Sequence, residues 1–198
     1  MGTEYRVVTA DDHATRSAVY RFRYDIYVTE MGRRQSHADH GRGLITDPLD
    51  ATGHCLAAFS LRRHPSRIIG TLRTNLLRRG PVGIYEDLYG LRDLDPEVRD
   101  RTSITTRLMV AREYRRGPLA LLLASAMYEW GTSQGVQTDY IDCNPHLVRF
   151  FQRLGYHDLG RIEHPEYGGV HLMRLEHDLD YLTHIGSPLL AALTGGKP

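Results

Sequence analysis

The stretch from residue 105 to residue 155 constrains the fold most, because strand-like and helical segments alternate in it. The segment from Pro118 to Gly135 predicts a helix, with a leucine stripe at helical spacing, a proline suited to the first turn and a glycine at the end. The flanking segments Thr105–Ala111 and Thr138–Cys143 are predicted to be strands. Two strands joined by a crossover helix are expected to run parallel, so this stretch predicts part of a mixed or parallel sheet.

The helix after the second strand begins with the pair Asn144-Pro145 and ends at Gly155. Asparagine is a good helix cap and proline suits the first helical position, so we expect the Asn144 side chain to cap this helix. Its buried face is predicted from apolar residues at i, i+3, i+4 and i+7, namely Leu147, Phe150, Phe151 and Leu154.

The remaining periodicity indicates an α/β fold with a mixed central sheet and helices on both faces. Further predicted elements are a first helix over about residues 12–28 capped by Asp11 or Asp12, a hairpin over 54–61 and 67–74, one or two short helices within 81–101, strands near 156–160 and 170–175, and a helix over 180–185. Residues 32–53 are polar with little periodicity, and we expect them to form a covering loop.

Length and charge narrow the classes of protein further. A chain of 198 residues fits one domain, predicted to span residues 1–198. With a formal net charge of +1 there is no overall field that favours nucleic acid or an anionic membrane, and no apolar run is long enough to span a bilayer. The two cysteines, Cys55 and Cys143, fit a reducing compartment, and we expect a cytoplasmic protein. His37, His40 and His54 fit no strong metal-binding spacing, so no metal site is predicted.

A candidate anion site lies where the first of the two parallel strands ends and the long helix begins. Free amides and the positive end of the helix dipole are expected to converge there with Arg115 and Arg116, which are suited to binding phosphate. An arginine, two residues, a glycine, one residue and then glycine or alanine form the acyl-donor motif of the GNAT superfamily, which this loop resembles. Arg115 and Ala120 match that motif, and Pro118 stands at its first glycine position.

The Asn144-Pro145 start and the Gly155-Tyr156 ending resemble the second motif of the same superfamily. The resemblance implies a GNAT-like sheet and an acyl-phosphopantetheine cosubstrate, carried on coenzyme A or on acyl carrier protein, with no tightly bound cofactor. The donor-binding residues that it implies are Met109, Val110, Arg115, Arg116, Gly117, Ala120 and Asn144.

The chain also resembles, more narrowly, the acyl-homoserine lactone synthases and the long-chain N-acyl amino acid synthases. This resemblance rests on the segments Arg21–Val28, Asp47–Asp50, Gly70–Arg73 and Thr106–Val110. It implies catalytic roles for Asp47, Asp50, Arg73 and Arg107 and substrate binding by Arg23 and Tyr27. The lactone synthases have a glutamate where this chain has Ile104, so a lactone product is not expected.

The two resemblances imply an N-acyltransferase that moves an acyl group from a pantetheine thioester to the amine of an amino acid or another small amine. Acyl carrier protein is the expected partner and donor, with coenzyme A as the other possible carrier. Two alternatives stay open: an acetyl-coenzyme A-dependent N-acetyltransferase, and a non-catalytic module that binds acyl thioesters or carrier protein. Asp47 and Asp50 are the candidates for binding or deprotonating the amine, and backbone amides of Leu108–Val110 are candidates for holding the oxyanion.

Overall fold

A computed structural model describes residues 4–62 and 64–190 of the protein. Within this part of the chain the strands are β1 (Tyr5–Thr9), β2 (Ala38–Asp39), β3 (Leu44–Ile45), β4 (His54–Ser60), β5 (His64–Leu76), β6 (Thr102–Val110), β7 (Thr138–Cys143), β8 (His157–His164) and β9 (Gly168–Glu176). The α-helices are α1 (His13–Tyr24), α2 (Tyr85–Leu88), α3 (Pro96–Asp100), α4 (Leu119–Ser133), α5 (Val148–Leu154) and α6 (Leu179–His184). A π-helix spans Asp25–Glu30, and four 3-10 turns span Pro48–Ala51, Leu77–Arg79, Arg112–Tyr114 and Pro145–Leu147.

Seven of the described strands form a mixed sheet in the order β1-β4-β5-β6-β7-β9-β8, and β2 pairs with β3 separately. The predicted parallel pairing of β6 and β7 is confirmed, with Thr102 opposite Thr138. The pairs β1 with β4, β7 with β9 and β8 with β9 are antiparallel. The α/β fold with a mixed sheet that the periodicity predicts is therefore present.

The chain divides into two compact units. The first comprises Met1–Arg73 and Arg107–Ala124, and the second comprises Thr74–Thr106 and Ser125–Pro198. The single domain over residues 1–198 stays a prediction. None of the helices in the described ranges is long and apolar enough to cross a membrane.

In the first unit, the predicted amphipathic helix is α1, and Asp12 caps it by accepting a hydrogen bond from the Thr15 amide. Val19 and Phe22 of this helix are buried, because apolar side chains at this spacing form one face of a helix. The helix does not continue regularly to Val28 as predicted. It changes to π geometry after Tyr24, and such single π turns occur often at functional sites.

In the second unit, α5 buries Phe151 and Leu154 as predicted, and Gly155 ends it in the left-handed conformation. The predicted side-chain cap by Asn144 is wrong, since that side chain makes no capping hydrogen bond. The Leu147 amide instead donates to the backbone oxygen of Asn144 at 2.9 Å, which closes a 3-10 turn before the α-helix begins. The amide that a side-chain cap would bind is thus already used.

Candidate active site

A short turn in the first unit presents two carboxylates. Asp47 caps the 3-10 turn Pro48–Ala51, and its Oδ1 accepts a hydrogen bond from the Leu49 amide at 3.0 Å. Asp50 Oδ2 accepts in return from the Asp47 amide at 2.9 Å. The local sequence Asp-Pro-Leu-Asp therefore builds a reciprocal capping box, which fixes both carboxylates before any distant residue contacts them.

Three arginines from separate elements pair with these carboxylates. Arg23 of α1 donates through Nη1 to Asp50 Oδ1 and Oδ2, at 2.8 and 2.9 Å. Arg73 of β5 donates through Nη1 to Asp47 Oδ1 at 2.6 Å and to Asp50 Oδ1 at 2.9 Å, and Arg107 of β6 donates through Nη2 to Asp47 Oδ2 at 2.8 Å. We call these five residues the charged cluster. The structure thus brings together five side chains for which the resemblance implies catalytic or binding roles, and those roles remain predictions.

The charged cluster is buried, with Arg23 and Arg73 fully inaccessible and Arg107 only 8% exposed. Burial raises the pKa of Asp47, but the charges of Arg73 and Arg107 outweigh this effect and hold that pKa well below its usual range. Buried ion pairs are costly to desolvate and are weak evidence for stability. A buried charged cluster of this kind is therefore a candidate functional site.

Arg107 is held in an unusual conformation within β6. Its φ is 59°, and among the described residues it is the one non-glycine residue with a positive φ. Its guanidinium lies over the Tyr27 ring, 5.3 Å from the ring centroid, and its Nη1 donates to Gln35 Oε1 at 3.1 Å. Tyr27 belongs to the π-helix, and the buried Gln35 belongs to the covering loop. Backbone strain of this kind persists where surrounding contacts over-determine it, and it is common at functional sites.

Sequence reasoning missed two residues that shape the cluster. Nothing in the local pattern marks Gln35, because its partner Arg107 is 72 positions away along the chain. Gly53 is needed for a steric reason: a Cβ there would lie 2.8 Å from Arg73 Cδ and 2.8 Å from the Leu49 carbonyl oxygen. The stem of Arg73 therefore lies against a backbone position that only glycine fits without displacement.

The donor loop, which we define as residues 110–120, also lies in the first unit. Met109 and Val110 are buried at the end of β6, Arg116 and Gly117 are exposed, and Ala120 is half-buried in the first turn of α4. Arg115 is exposed but already has partners. These are the Val110 carbonyl oxygen, 2.9 Å from its Nε, and Glu30 Oε1 of the π-helix, 2.6 Å from its Nη2.

The backbone of the donor loop is only partly open to an anion. The Gly117 amide donates to the Tyr114 carbonyl oxygen at 3.0 Å, and the Arg115 amide donates to the Arg112 carbonyl oxygen at 3.4 Å. Pro118 has no N–H. The cradle of successive amides that the sequence predicted at the start of α4 therefore lacks several of its donors.

The second unit contains a buried carboxylate that the sequence did not reveal. Asp139 of β7 accepts hydrogen bonds from the hydroxyls of Ser103, Thr105 and Tyr156, the last two at 2.9 and 2.7 Å. Thr74 Oγ1 lies 2.5 Å from Thr105 Oγ1 and extends the chain of hydroxyls. Burial raises the pKa of Asp139 to about 6, although the three hydroxyl hydrogen bonds oppose the rise.

Asn144 belongs to the second unit and is half-buried at the end of β7. Its role in donor binding stays a prediction. Across residues 4–62 and 64–190, no group of three or more His, Cys, Asp or Glu side chains is arranged to hold a metal ion.

Comparison with known protein families identifies the class of protein. A family model described as the N-acyl amino acid synthase FeeM matches residues 18–176, which is most of the chain. The protein therefore belongs to the FeeM family of N-acyl amino acid synthases and is an acyltransferase. No curated protein sequence matches it.

Solved structures with the same fold include three acyl-transferring enzymes. The acyl-homoserine lactone synthase LasI has a TM-score of 0.70 at 14% identity, covering 100% of this chain and 98% of its own. The coenzyme A-dependent acyl-homoserine lactone synthase BjaI, solved with SAM and isopentyl-CoA, has a TM-score of 0.67 at 20% identity, with 94% and 91% covered. FeeM from uncultured soil microbes has a TM-score of 0.67 at 13% identity, with 96% and 97% covered. At these identities the likeness shows the fold, which is GNAT-like as predicted.

Proposed function

We propose that the protein transfers an acyl group from a pantetheine thioester on acyl carrier protein to the amine of an amino acid. The FeeM family description supports an amino acid as the acceptor. The donor loop supports a carrier protein as the donor. The reaction is direct, without a covalent acyl-enzyme.

The observation that carries this proposal is the position of Arg107 on β6. In the described part of the chain, the ladder of β6 with β7 ends at the pair Ile104–Tyr140, and β6 then continues through Arg107 to Val110. Arg107 belongs to the charged cluster, and the residues directly after it on β6 lead into the donor loop. One strand therefore carries both an acceptor-binding candidate and backbone amides that are candidates for holding the thioester oxyanion.

The chemistry needs positioning more than it needs an acid or a base. The neutral amine attacks the thioester carbonyl carbon, the C–N bond forms, the C–S bond breaks, and the thiolate takes up a proton to leave as a thiol. The low pKa of Asp47 makes its carboxylate a poor proton acceptor. We therefore assign Asp47 and Asp50 to orienting Arg73 and Arg107, with the excess proton of the amine passing to water.

Within this proposal, the acceptor binds beside Arg107 and the Tyr27 ring that Arg107 lies over, at one end of the charged cluster. Arg107 is the most exposed arginine of the cluster, and its positive charge attracts the carboxylate of an amino acid that binds beside it. Arg23 is fully buried and holds the Asp50 carboxylate in place through a hydrogen bond. Its contribution to substrate binding is thus indirect.

The donor loop favours one phosphate over a pyrophosphate. The missing N–H of Pro118 and the engaged amide of Gly117 reduce the donors available to a second phosphate. Arg115 and Arg116 can still bind the single phosphate of phosphopantetheine on a carrier protein. Contact between the two proteins then replaces the affinity that the nucleotide of coenzyme A would supply.

The test is mass spectrometry of products after the protein is mixed with all twenty amino acids and acyl donors of several lengths, on carrier protein and on coenzyme A. We expect an N-acyl amino acid and a higher kcat/KM with the carrier-protein donor. Arg115→Glu combined with Arg116→Glu should abolish that advantage. Equal or better turnover of coenzyme A donors would refute the donor assignment, and acetylation alone would support an acetyl-coenzyme A-dependent acetyltransferase instead.

A further inference from the structure

A carboxylate of the π-helix lies against the donor loop. Glu30 is the last residue of the π-helix, and its Oε1 is 2.6 Å from Arg115 Nη2. The side chains of Glu30 and Arg115 are 28% and 42% exposed, so both are within reach of a ligand in solution. The sequence gives no sign of this pairing, because the two residues are far apart along the chain.

This contact occupies the arginine that is expected to bind the donor phosphate. Nε of Arg115 donates to the Val110 carbonyl oxygen, and Nη2 pairs with Glu30, so two sides of the planar guanidinium have fixed partners. A phosphate that approaches Arg115 must share the guanidinium with a carboxylate or displace it. Sharing places the phosphate near the Glu30 carboxylate, and displacement breaks the ion pair of Glu30 with Arg115, so both cost free energy.

We propose that Glu30 is a specificity-determining residue that selects against highly charged donors. This inference rests on the proposed acyl transfer from a pantetheine thioester. The pyrophosphate and 3′-phosphate of coenzyme A carry several negative charges, whereas the phosphodiester of carrier-bound phosphopantetheine carries one. Glu30 therefore disfavours a nucleotide donor more than a carrier-protein donor, by an effect separate from the missing N–H of Pro118.

The size of the effect follows from exposure. Interactions between partly exposed charges are screened and are worth about a two- to fivefold change in an equilibrium constant. They weaken as ionic strength rises, since the Debye length at physiological salt is about 8 Å. A charge-based selection must accordingly grow with donor charge and shrink with added salt.

The experiment compares Glu30→Gln with the wild-type protein on a series of donors of increasing charge. Acyl-pantetheine provides the uncharged baseline, followed by acyl-dephospho-coenzyme A and acyl-coenzyme A. We expect the ratio of kcat/KM for acyl-coenzyme A to that for acyl-pantetheine to rise about two- to fivefold at low salt. The dephospho donor should give a smaller rise, and both rises should decline in high salt.

A matched control is available on the same loop. Glu113 pairs with Arg67 at 3.2 Å, so Glu113→Gln removes the same charge without touching Arg115. Its effect on the donor ratio should be clearly smaller. An equal effect in both variants, or a salt-independent change shared by all donors, would refute the assignment of Glu30 to donor selection.

Binding separates this inference from the proposed function. Calorimetry should show coenzyme A binding about two- to fivefold more tightly to Glu30→Gln than to wild type at low salt. That result with no turnover on any donor would leave the role of Glu30 intact and refute acyl transfer. Turnover with unchanged coenzyme A affinity and an unchanged donor ratio would refute the role of Glu30 alone.

Discussion

Replacing Asp139 with asparagine should change how the stability of the protein depends on pH. The carboxyl is 4% exposed, and its pKa rises from 3.8 to about 6 on folding because burial disfavours the charged form. A group whose folded pKa is raised contributes stability that is fully present below the unfolded pKa and is lost as pH rises through the folded pKa. Since one pKa unit corresponds to about 1.4 kcal/mol, raising the pKa from 3.8 to about 6 lowers the unfolding free energy by about 3 kcal/mol once the pH is well above 6.

Asparagine keeps the hydrogen bonds of this site without the charge. Its carbonyl oxygen can accept from the hydroxyls of Ser103 and Thr105, and its amide can donate to the hydroxyl oxygen of Tyr156. The Asp139→Asn variant should therefore gain about 2–3 kcal/mol in stability relative to wild type as the pH rises from 4 to 7. Groups elsewhere titrate in both proteins and cancel in the difference.

The assay is urea unfolding followed by circular dichroism at intervals between pH 4 and pH 8. The difference in unfolding free energy should grow between about pH 4 and pH 6, pass half of its final value near pH 5, and level off above about pH 6. A Tyr156→Phe variant removes a hydrogen bond that lowers the pKa of Asp139, so its own transition should move to higher pH. Parallel stability curves for wild type and Asp139→Asn would show that the buried carboxyl does not titrate in this range, and the reasoning would fail.

Two further predictions concern packing. Gly53→Ala should displace the stem of Arg73, lower turnover and cost about 1–3 kcal/mol of stability. Gly41→Ala is the control, because its added methyl lies 3.5 Å from the nearest side-chain atom. It should change neither turnover nor melting temperature much. Phe151→Ala should cost about 3–5 kcal/mol of stability because its ring is buried. Phe150→Ala should cost clearly less, because Phe150 is half-buried. Equal losses of unfolding free energy in denaturant would contradict the assigned core face.

The elements that the sequence predicted best are those with strong local periodicity. The helix predicted over Pro118–Gly135 is α4, Leu119–Ser133, and the strand predicted over Thr138–Cys143 has those bounds in the structure. An apolar stripe along a helix and alternation along a strand are local signals, so they can be read without knowledge of distant contacts. The roles of the five residues in the charged cluster were implied by short motifs of a family resemblance, and the local capping box holds its two aspartates together.

What could not be predicted depends on contacts between distant residues or on the choice between two local alternatives. The pairing of Gln35 with Arg107 has no local signature, and neither does the contact of Glu30 with Arg115. For Asn144, the sequence allowed either a side-chain cap or a backbone 3-10 turn, and the backbone turn forms. A propensity identifies a favourable option, and only the surrounding structure selects between such options.

The last prediction separates the backbone of Arg107 from its side chain. A non-glycine residue with φ of 59° costs about 1–2 kcal/mol, and glycine removes this cost but adds about 0.4–1 kcal/mol of entropy to the unfolded chain. Arg107→Gly should therefore be more stable than Arg107→Ala by somewhat under 1 kcal/mol, measured by denaturant unfolding. Both variants lose the guanidinium and should lose turnover to the same extent. If Arg107→Ala were the more stable variant, the strain assigned to this position would be refuted, and if either variant kept near-normal turnover, the charged cluster would have no part in acceptor binding.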